Sequence, residues 1–260
     1  MERIRLSPVR QQAINLVTIV GAVTLFLVSV YFLQLDVGKF MSRFADAGDI
    51  VKLFFDLNLQ ELPVIISELF VSISMALGSL AIGILLSFVL SFLGATNTAP
   101  YPWVSVLVKA IISVIRAVPA LVWILMLVAS LGFGNAAGLT GMVFPTMGYL
   151  TKSFISSIEE QDPAIIETLK STGATKLQII TEGLLPNLTQ PFLSWISIRL
   201  EGNIAESISL GMIGAGGIGT LLMKSIGKYD YPLITTIILT IFLTMVTVEL
   251  LVTRLKKQLR

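Results

Sequence analysis

The stretch Glu159–Pro186, EEQDPAIIETLKSTGATKLQIITEGLLP, interrupts a chain that is otherwise largely apolar. It holds seven charged residues, whereas the sequence on both sides contains long runs without any charge. A segment this polar does not lie in hydrocarbon, because each charge would lose its hydration there. We therefore expect it to lie in water, between two membrane-embedded parts of the chain.

The overall composition is that of an integral membrane protein. Hydrophobic residues make up 55% of the 260 residues, charged residues only 13%, and the mean hydropathy is +0.88. A helix needs roughly 20 residues to cross a bilayer. Windows without charge cover residues 11–35, 69–108, 117–151 and 231–248, and the middle two are each long enough to hold parts of two spans. The sequence therefore predicts an all-α polytopic membrane protein with about six transmembrane helices.

The chain is predicted to be a single membrane domain over residues 1–260, with an N-terminal span and charged connector at 1–61 and a core at 62–260. The first apolar run is interpreted as a retained helix and not as a signal peptide. Gly and Pro residues separate the later spans. The six predicted spans cover about residues 11–35, 63–92, 103–131, 139–157, 188–213 and 232–252.

The basic residues gather at the two ends of the chain, including Arg3, Arg5 and Arg10 at the start and the tail RLKKQLR. By the positive-inside rule both termini are expected in the cytoplasm. Four spans precede the polar insert, so parity places residues 159–186 in the cytoplasm as well.

Several kinds of chemistry are excluded by composition. The chain has no cysteine and no histidine, which removes disulfides, the usual zinc and haem ligands and imidazole catalysis. A net charge of +2 gives no argument for nucleic acid. No G-x-x-x-x-G-K-[ST] phosphate loop and no Ser-His-Asp set occur. We predict no catalytic residue, no metal site and no ATP site in this chain.

The polar insert carries the signals of two short helices joined by an elbow. Asp162 is suited to cap a helix that begins at Pro163, and Gly173 is suited to close it in a left-handed conformation. Thr175, followed by Gln178, resembles a capping box for a second helix, which Pro186 is predicted to stop.

Such an elbow could present a short helix to a groove in a partner protein. Ile165, Ile166 and Leu169 are the predicted apolar anchors, and Glu167 is the charged one. On spacing alone, an ordinary amphipathic loop remains the alternative.

Glu167, Gly173 six residues later, and the pair Leu185-Pro186 resemble the EAA loop of binding-protein-dependent ABC importer permeases. Through that loop the membrane subunit grips its ATPase. Thr168 and Leu169 replace the two alanines of the motif, and Gly183 stands where Ile is usual. The resemblance implies ATPase coupling for a set of residues in the insert: Asp162, Glu167, Leu169, Gly173, Ala174, Leu185 and Pro186.

Further runs resemble the phosphonate-type permeases of ABC importers, the PhnE family: RAVPALVW at 116–123, IRLEGN at 198–203, SLGMIGAGGIG at 209–219 and YDYP at 229–232. The likeness begins at about residue 62 and implies the type I ABC importer permease fold. It implies phosphonate, phosphate or a related small oxyanion as the substrate. Members often carry an Arg shortly after the Glu-x-Asn of span five, where this chain has Ala205 and Glu206.

Charged residues inside the spans are candidates for the translocation pathway, because a charge within a bilayer faces a partner charge or water. Arg116, Arg199, Glu201 and Asn203 are predicted to lie at the pathway or gate, with purely structural pairing as the alternative. For Arg116, a position near a helix end is a third explanation. The glycine-rich segment is predicted to let helices and a docked binding protein approach closely at the outer mouth: Gly214, Gly216, Gly217 and Gly219.

GAGGIG at 214–219 matches a dinucleotide-binding pattern literally, but no βαβ unit surrounds it. We expect instead a transport subunit without enzymatic activity, in the plasma membrane of a prokaryote. Its expected partners are a second copy of itself, cytoplasmic ABC ATPase subunits that bind ATP and Mg, an extracytoplasmic substrate-binding protein and membrane lipid.

Two alternatives stay open: an importer permease for an amino acid such as methionine, and an ATP-independent secondary transporter or channel. The sequence leaves the ligand open, because specificity in such importers resides largely in the separate binding protein. It also leaves open whether the pore is a homodimer or a heterodimer.

Overall fold

The computed structural model describes residues 9–34 and 36–258, and these residues form helices and no strand. Arg3, Arg5 and Leu35, which the predictions above include, lie outside the described residues. In chain order the helices are α1 (Val9–Phe32), α2 (Val37–Leu53), α3 (Leu62–Gly94), α4 (Pro102–Ala117), α5 (Ala120–Leu131), α6 (Asn135–Glu159), α7 (Pro163–Ser171), α8 (Lys176–Gln178), α9 (Leu185–Leu210), α10 (Ile218–Gly227) and α11 (Tyr231–Gln258).

The chain divides into two compact units, Met1–Leu53 and Phe54–Arg260. The first contains α1, whose residues 13–32 are long and apolar enough to span a membrane, and the shorter helix α2. The helix α2 occupies the predicted charged connector. The second unit contains α3 to α11 and both hydrophobic clusters of buried residues.

Two spans of the second unit are single helices, at Leu59–Gly94 and Tyr231–Arg254. Two bent pairs meet the same criteria of length and composition, so up to five spans are counted among the described residues. The helix α6 is the fourth predicted span, and its 25 residues make it about 37 Å long. It packs against α3, α5 and α9. Because these helices enclose it, α6 can carry Gly, Ser and Thr instead of lipid-facing apolar residues.

The helices α3 and α6 approach closely along their length because small residues lie at the contact. A Cβ atom added at Gly83 would lie 2.5 Å from a methyl group of Thr146, and one at Gly94 would lie 2.5 Å from Ile155. Ser87 donates a 3.1 Å hydrogen bond to the backbone carbonyl of Met147 in the same contact. Backbones this close form a rigid pair around which the other helices pack.

The predicted third span, 103–131, is wrong as a single helix. It breaks after Ala117 into α4 and α5, which are bent by 84° to each other. Val118 adopts an extended conformation, as a residue before proline prefers, and Pro119 has no N–H with which to continue the helix. The apolar run continues through the break, so hydropathy alone does not reveal it.

The prediction that Pro186 stops a helix is also wrong. The chain passes from α8 through a π-helical turn at Ile179–Leu184 directly into α9. The N–H of Leu185 bonds to the carbonyl of Ile180, five residues back, and Pro186 follows in the first turn of α9, where an N–H is not needed. The predicted glycine-rich loop after span five contains the helix α10, and the chain between α9 and α10 is kinked at Gly214, whose φ of +101° is not helical.

Candidate functional site

Residues 162–184, which follow the end of α6 and are called the elbow below, are held in shape by short-range hydrogen bonds. The Asp162 side chain accepts a 2.9 Å bond from the N–H of Ala164 and caps α7, as predicted. At the other end Gly173 has φ +82°. Its N–H bonds to Lys170, and the N–H of Ala174 bonds to Leu169, which together make a Schellman ending. The predicted helix and glycine elbow are confirmed.

The second half of the elbow begins with the predicted capping box. The Thr175 hydroxyl accepts from the N–H of Gln178, and the Gln178 side chain accepts a 2.8 Å bond from the N–H of Thr175. Leu184 is fully buried behind it, Leu185 is half-buried, and Pro186 is exposed. Both short helices of the elbow therefore begin with a side-chain cap formed within two or three residues.

Contrary to the prediction, the apolar side chains of α7 do not face outward toward a partner. Glu167 is exposed, as expected of a group that contacts a partner. Ile166 is 7% exposed and belongs to a cluster of this chain's own buried side chains, and the half-buried Leu169 packs on the same cluster. Ile166 and Leu169 therefore attach α7 to its own subunit and do not serve as anchors for a partner. The outward face is polar, with Glu167, Thr168 and Ser171 exposed.

Leu169 and Gly183 form a size-complementary pair. A Cβ atom at Gly183 would lie 2.5 Å from the terminal methyl of Leu169 and 3.4 Å from Ile165. In the EAA motif that this loop resembles, the position of Leu169 is occupied by alanine and the position of Gly183 by isoleucine. Here the large and small residues are exchanged, so the Leu169 side chain fills the space that an isoleucine at 183 would occupy.

A second candidate site lies among α3, α6 and α9 and centres on the buried side chain of Arg199, which is 8% exposed as a residue. Its Nη2 donates a 2.7 Å bond to Oε2 of Glu206, and its Nη1 donates a 3.1 Å bond to Oε1. Nε and Nη2 each lie 3.3 Å from the hydroxyl of Thr146, to which they donate. The guanidinium also lies 5.8 Å from the ring centroid of Tyr149. The carboxylate is thus bound at both oxygens, which is the strongest geometry for this pair.

The network continues from Thr146 to Asn203. The Thr146 hydroxyl donates a 3.0 Å bond to Oδ1 of Asn203. The Asn203 amide donates to the hydroxyl of Ser79 at 3.1 Å and to the carbonyl of Ala76 at 3.3 Å. Asn203 and Ser79 are completely buried. The six side chains from three helices (Ser79, Thr146, Tyr149, Arg199, Asn203 and Glu206) are called the polar cluster below.

The other predicted pathway charges lie apart from the polar cluster. Glu201 is on a different side of α9 and lies 3.9 Å from Lys256 of α11. Arg116 is exposed at the end of α4, with the stem of its side chain against Gly148 of α6, and it makes no ion pair with any described residue. Arg199, which was predicted to lie at the pathway or gate or in a structural pairing, has Glu206 as its ion-pair partner. A separation of seven residues is two helical turns and places both side chains on one face, a signal that the prediction missed.

The glycine-rich segment lies at the far end of α3 from the elbow. Gly214, Gly216 and Gly217 have φ of +101°, +91° and +71°, conformations that favour glycine. Gly219 lies against the backbone of Ile208 with no room for a side chain. The hydroxyl of Ser72 accepts a 3.0 Å bond from the N–H of Ile218.

A pocket of about 250 Å³ opens beside this segment, lined among others by Glu68, Asn135, Gly216 and Lys224. Ser72 at this end and Thr96 at the elbow end are 24 residues apart, which corresponds to about 36 Å along a helix. The elbow and the glycine-rich segment therefore lie at opposite ends of the helical core.

Near the elbow, Glu159 joins three elements. Its carboxylate accepts 2.8 Å bonds from the N–H of Thr96, the hydroxyl of Thr96 and the ammonium of Lys109. Partial burial raises the pKa of Glu159, but the bonds from Lys109 and Thr96 outweigh it, and the net pKa lies below the ordinary 4.5. The end of α6 is thus tied to α4 and to the turn after α3.

Residues 83–260 match the family described as binding-protein-dependent transport system inner membrane component. The phosphite transport permease PtxC of Stutzerimonas stutzeri is 35% identical over 176 residues, 68% of this chain and 64% of PtxC. The phosphate-import permease PhnE of Mycolicibacterium smegmatis is 35% identical over 170 residues, 65% of this chain and 32% of that protein. The aligned region thus covers less than two thirds of either relative.

The fold is similar to that of a solved chain of the MetNI methionine ABC transporter in an inward-facing conformation. The TM-score is 0.69, and the match covers 78% of this chain and all of the other at 16% identity. These findings confirm the type I importer permease fold that the resemblance implied. The chain belongs to the family of binding-protein-dependent transport system inner membrane components and is a multi-pass membrane subunit of a transport system.

Proposed function

We propose that this chain is the permease subunit of an ATP-driven importer and that α7 receives the movement of a partner ATPase. One observation carries the proposal: α7 is capped at both ends, attached to its own core by Ile166 and Leu169, and presents the carboxylate of Glu167 outward. A helix held in this way can move only together with the elements behind it.

The route from α7 into the membrane runs through two attachments. Ile166 shares its cluster with Leu184, Leu188 and Phe192, which belong to the π-helical turn and α9. The end of α6, three residues before Asp162, is tied through Glu159 to Lys109 of α4. A displacement of α7 would therefore act on α4, α6 and α9 together, as alternating access between two states requires.

The partners follow from the same proposal. The elbow and both termini face the cytoplasm of a prokaryotic cell, where paired ATPase subunits bind ATP and Mg. The glycine-rich end faces outward and receives a substrate-binding protein. A second copy of the chain completes the pathway, because one copy has too few helices to enclose it.

The proposed substrate class is a small phosphorus oxyanion. It is supported by the names of the relatives in phosphite and phosphate transport and by the guanidinium of Arg199, which suits an oxyanion. The sequence similarity to methionine permeases is more distant than that to the phosphite and phosphate permeases, and the likeness to the MetNI chain is one of fold at 16% identity, so a methionine substrate has weaker support.

The test is uptake into proteoliposomes that contain the permease, its ATPase and its binding protein, with radiolabelled phosphite and phosphate outside and ATP inside. Glu167→Ala and Gly173→Leu are expected to reduce uptake at least tenfold while ATP hydrolysis continues, because the ATPase is no longer coupled. Glu182→Ala, which removes an exposed carboxylate elsewhere in the insert, is the control and should leave uptake unchanged.

Normal uptake in both variants would overturn the coupling role. Uptake that needs no ATP would favour the secondary transporter or channel. ATP-driven uptake of methionine, but of neither oxyanion, would overturn the substrate class while leaving the importer intact.

A further inference from the structure

The ion pair of the polar cluster has the form of an occupied oxyanion site. The two oxygens of Glu206 bind the two outer nitrogens of Arg199 at 2.7 and 3.1 Å. Two oxygens of a phosphate or phosphite fit the same guanidinium fork. We propose that Glu206 is an internal substitute for the transported anion, and that a phosphorus oxyanion binds Arg199 by displacing Glu206. This inference rests on the oxyanion substrate proposed above.

Exposure and bonding indicate which partner moves. The Arg199 side chain is 10% exposed and that of Glu206 is 31% exposed. Arg199 keeps Thr146 as a second partner, whereas the hydrogen bonds of the Glu206 side chain within the described residues all come from Arg199. Glu206 is therefore the group that leaves, and the guanidinium stays in place.

The approach to the pair is open on one side. A Cβ atom at Gly202 would lie 3.7 Å from Nη1 of Arg199 and would meet nothing else within 4 Å. Ala205 and Ser209, on the neighbouring part of α9, are exposed and small. An anion that moves along this face of α9 would thus meet the guanidinium edge without first displacing a bulky side chain.

The charges of Arg199 and Glu206 explain why the anion would have to exchange places with Glu206. The closed pair is neutral, whereas an unpaired guanidinium within the membrane is unfavourable and would attract any anion. An internal carboxylate keeps the empty subunit neutral, and an incoming oxyanion restores neutrality at Arg199 once Glu206 turns toward water. The pair would therefore discriminate against solutes that cannot bind both nitrogens of the fork.

The first experiment measures equilibrium binding of radiolabelled inorganic phosphate and phosphite to the purified full-length permease in nanodiscs, without ATPase or binding protein. Glu206→Gln keeps the shape and removes the competing charge, so it should bind at least one of the two anions at least tenfold more tightly than the wild type. Arg199→Lys keeps the charge but not the fork and should lose binding. Glu249→Gln, an exposed carboxylate on α11, is the control and should equal the wild type.

A Glu206→Gln affinity for both anions no higher than that of the wild type and of Glu249→Gln would overturn the inference. A further variant, Gly202→Leu, leaves both members of the ion pair in place. Gly202→Leu covers the approach to Arg199 and should reduce ATP-driven oxyanion uptake at least fivefold with unchanged thermal stability, whereas unchanged uptake would overturn the inference. Failure of the proposed function is distinguished by the wild type, which would then take up neither phosphate nor phosphite with ATP.

Discussion

The elbow and the polar cluster are stabilised over very different distances along the chain. In the elbow, Asp162 bonds two residues ahead and Thr175 bonds three residues ahead. In the polar cluster, Arg199 bonds to Thr146 over 53 positions and Asn203 bonds to Ala76 over 127. The elbow is therefore specified by local sequence, whereas the cluster exists only when three helices have packed.

The largest expected effect comes from leaving one charge of the cluster unpaired. Arg199→Met should lower the free energy of unfolding by about 3 kcal/mol, the low end for a broken buried pair, because Glu206 keeps 31% of its side-chain exposure. Arg199→Met with Glu206→Met should recover most of this loss, since no charge is then unpaired. Reversible denaturation in mixed micelles measures both, and equal losses in the single and double variants would contradict the pairing.

The next largest effect is expected at the contact between Leu169 and Gly183, which joins parts of the elbow that are further apart in the chain. Gly183→Ile should cost about 2 kcal/mol, because the added side chain overlaps that of Leu169. Leu169→Ala in the same chain should restore stability, since the space is then free. The double-mutant cycle provides the measurement, and additive effects would show that the two positions are independent.

A strictly local change in the elbow should have a smaller effect. Asp162→Ala removes the cap of α7 and should cost about 1 kcal/mol, whereas Asp162→Asn, which also caps well, should cost little. Hydrogen exchange at the amides of α7 is the measurement, because it isolates local opening. A loss of protection that spreads to the polar cluster would contradict the separation of the two regions.

The smallest expected effect is the pH dependence contributed by Glu159. Its pKa is lowered in the folded protein, so its contribution is present above the unfolded value and is lost as the pH falls through the folded value, below 4.5. The side chain is 31% exposed, so the effect should stay under about 1 kcal/mol. Glu159→Gln should reduce the change in the free energy of unfolding between pH 5 and pH 3 by roughly this amount, which is measured as a flatter dependence of the melting temperature on pH. Glu182→Gln is the control, and an identical profile for wild type and Glu159→Gln would contradict the assignment.

The two regions also differ in how well the sequence predicted them. Caps and the left-handed glycine depend on neighbours in the chain, and those predictions are confirmed. Of the predicted apolar spans, those at residues 13–32, 59–94 and 231–254 are single helices of spanning length. The break at Pro119 was missed because the apolar pattern continues across it. The helix α10 was missed because its glycine-rich start looked like a loop.

The content of the polar cluster could not be predicted in the same way. Nothing near Arg199 in the chain reveals that Thr146 of another helix lies beside it. The pairing with Glu206 was available in principle from the spacing of seven residues, but no partner for Arg199 was predicted. The inward direction of Ile166 depends on where α9 lies, which local sequence does not state.

The exchange of sizes between Leu169 and Gly183 restricts how coupling loops can be transplanted between importers. A graft of residues 163–174 alone would bring a leucine against the isoleucine that the related motif carries downstream. A graft that ends after position 183 would carry both halves of the contact. Chimeric permeases built to redirect this subunit to a foreign ATPase should therefore exchange the whole segment from Asp162 to Pro186 as one piece.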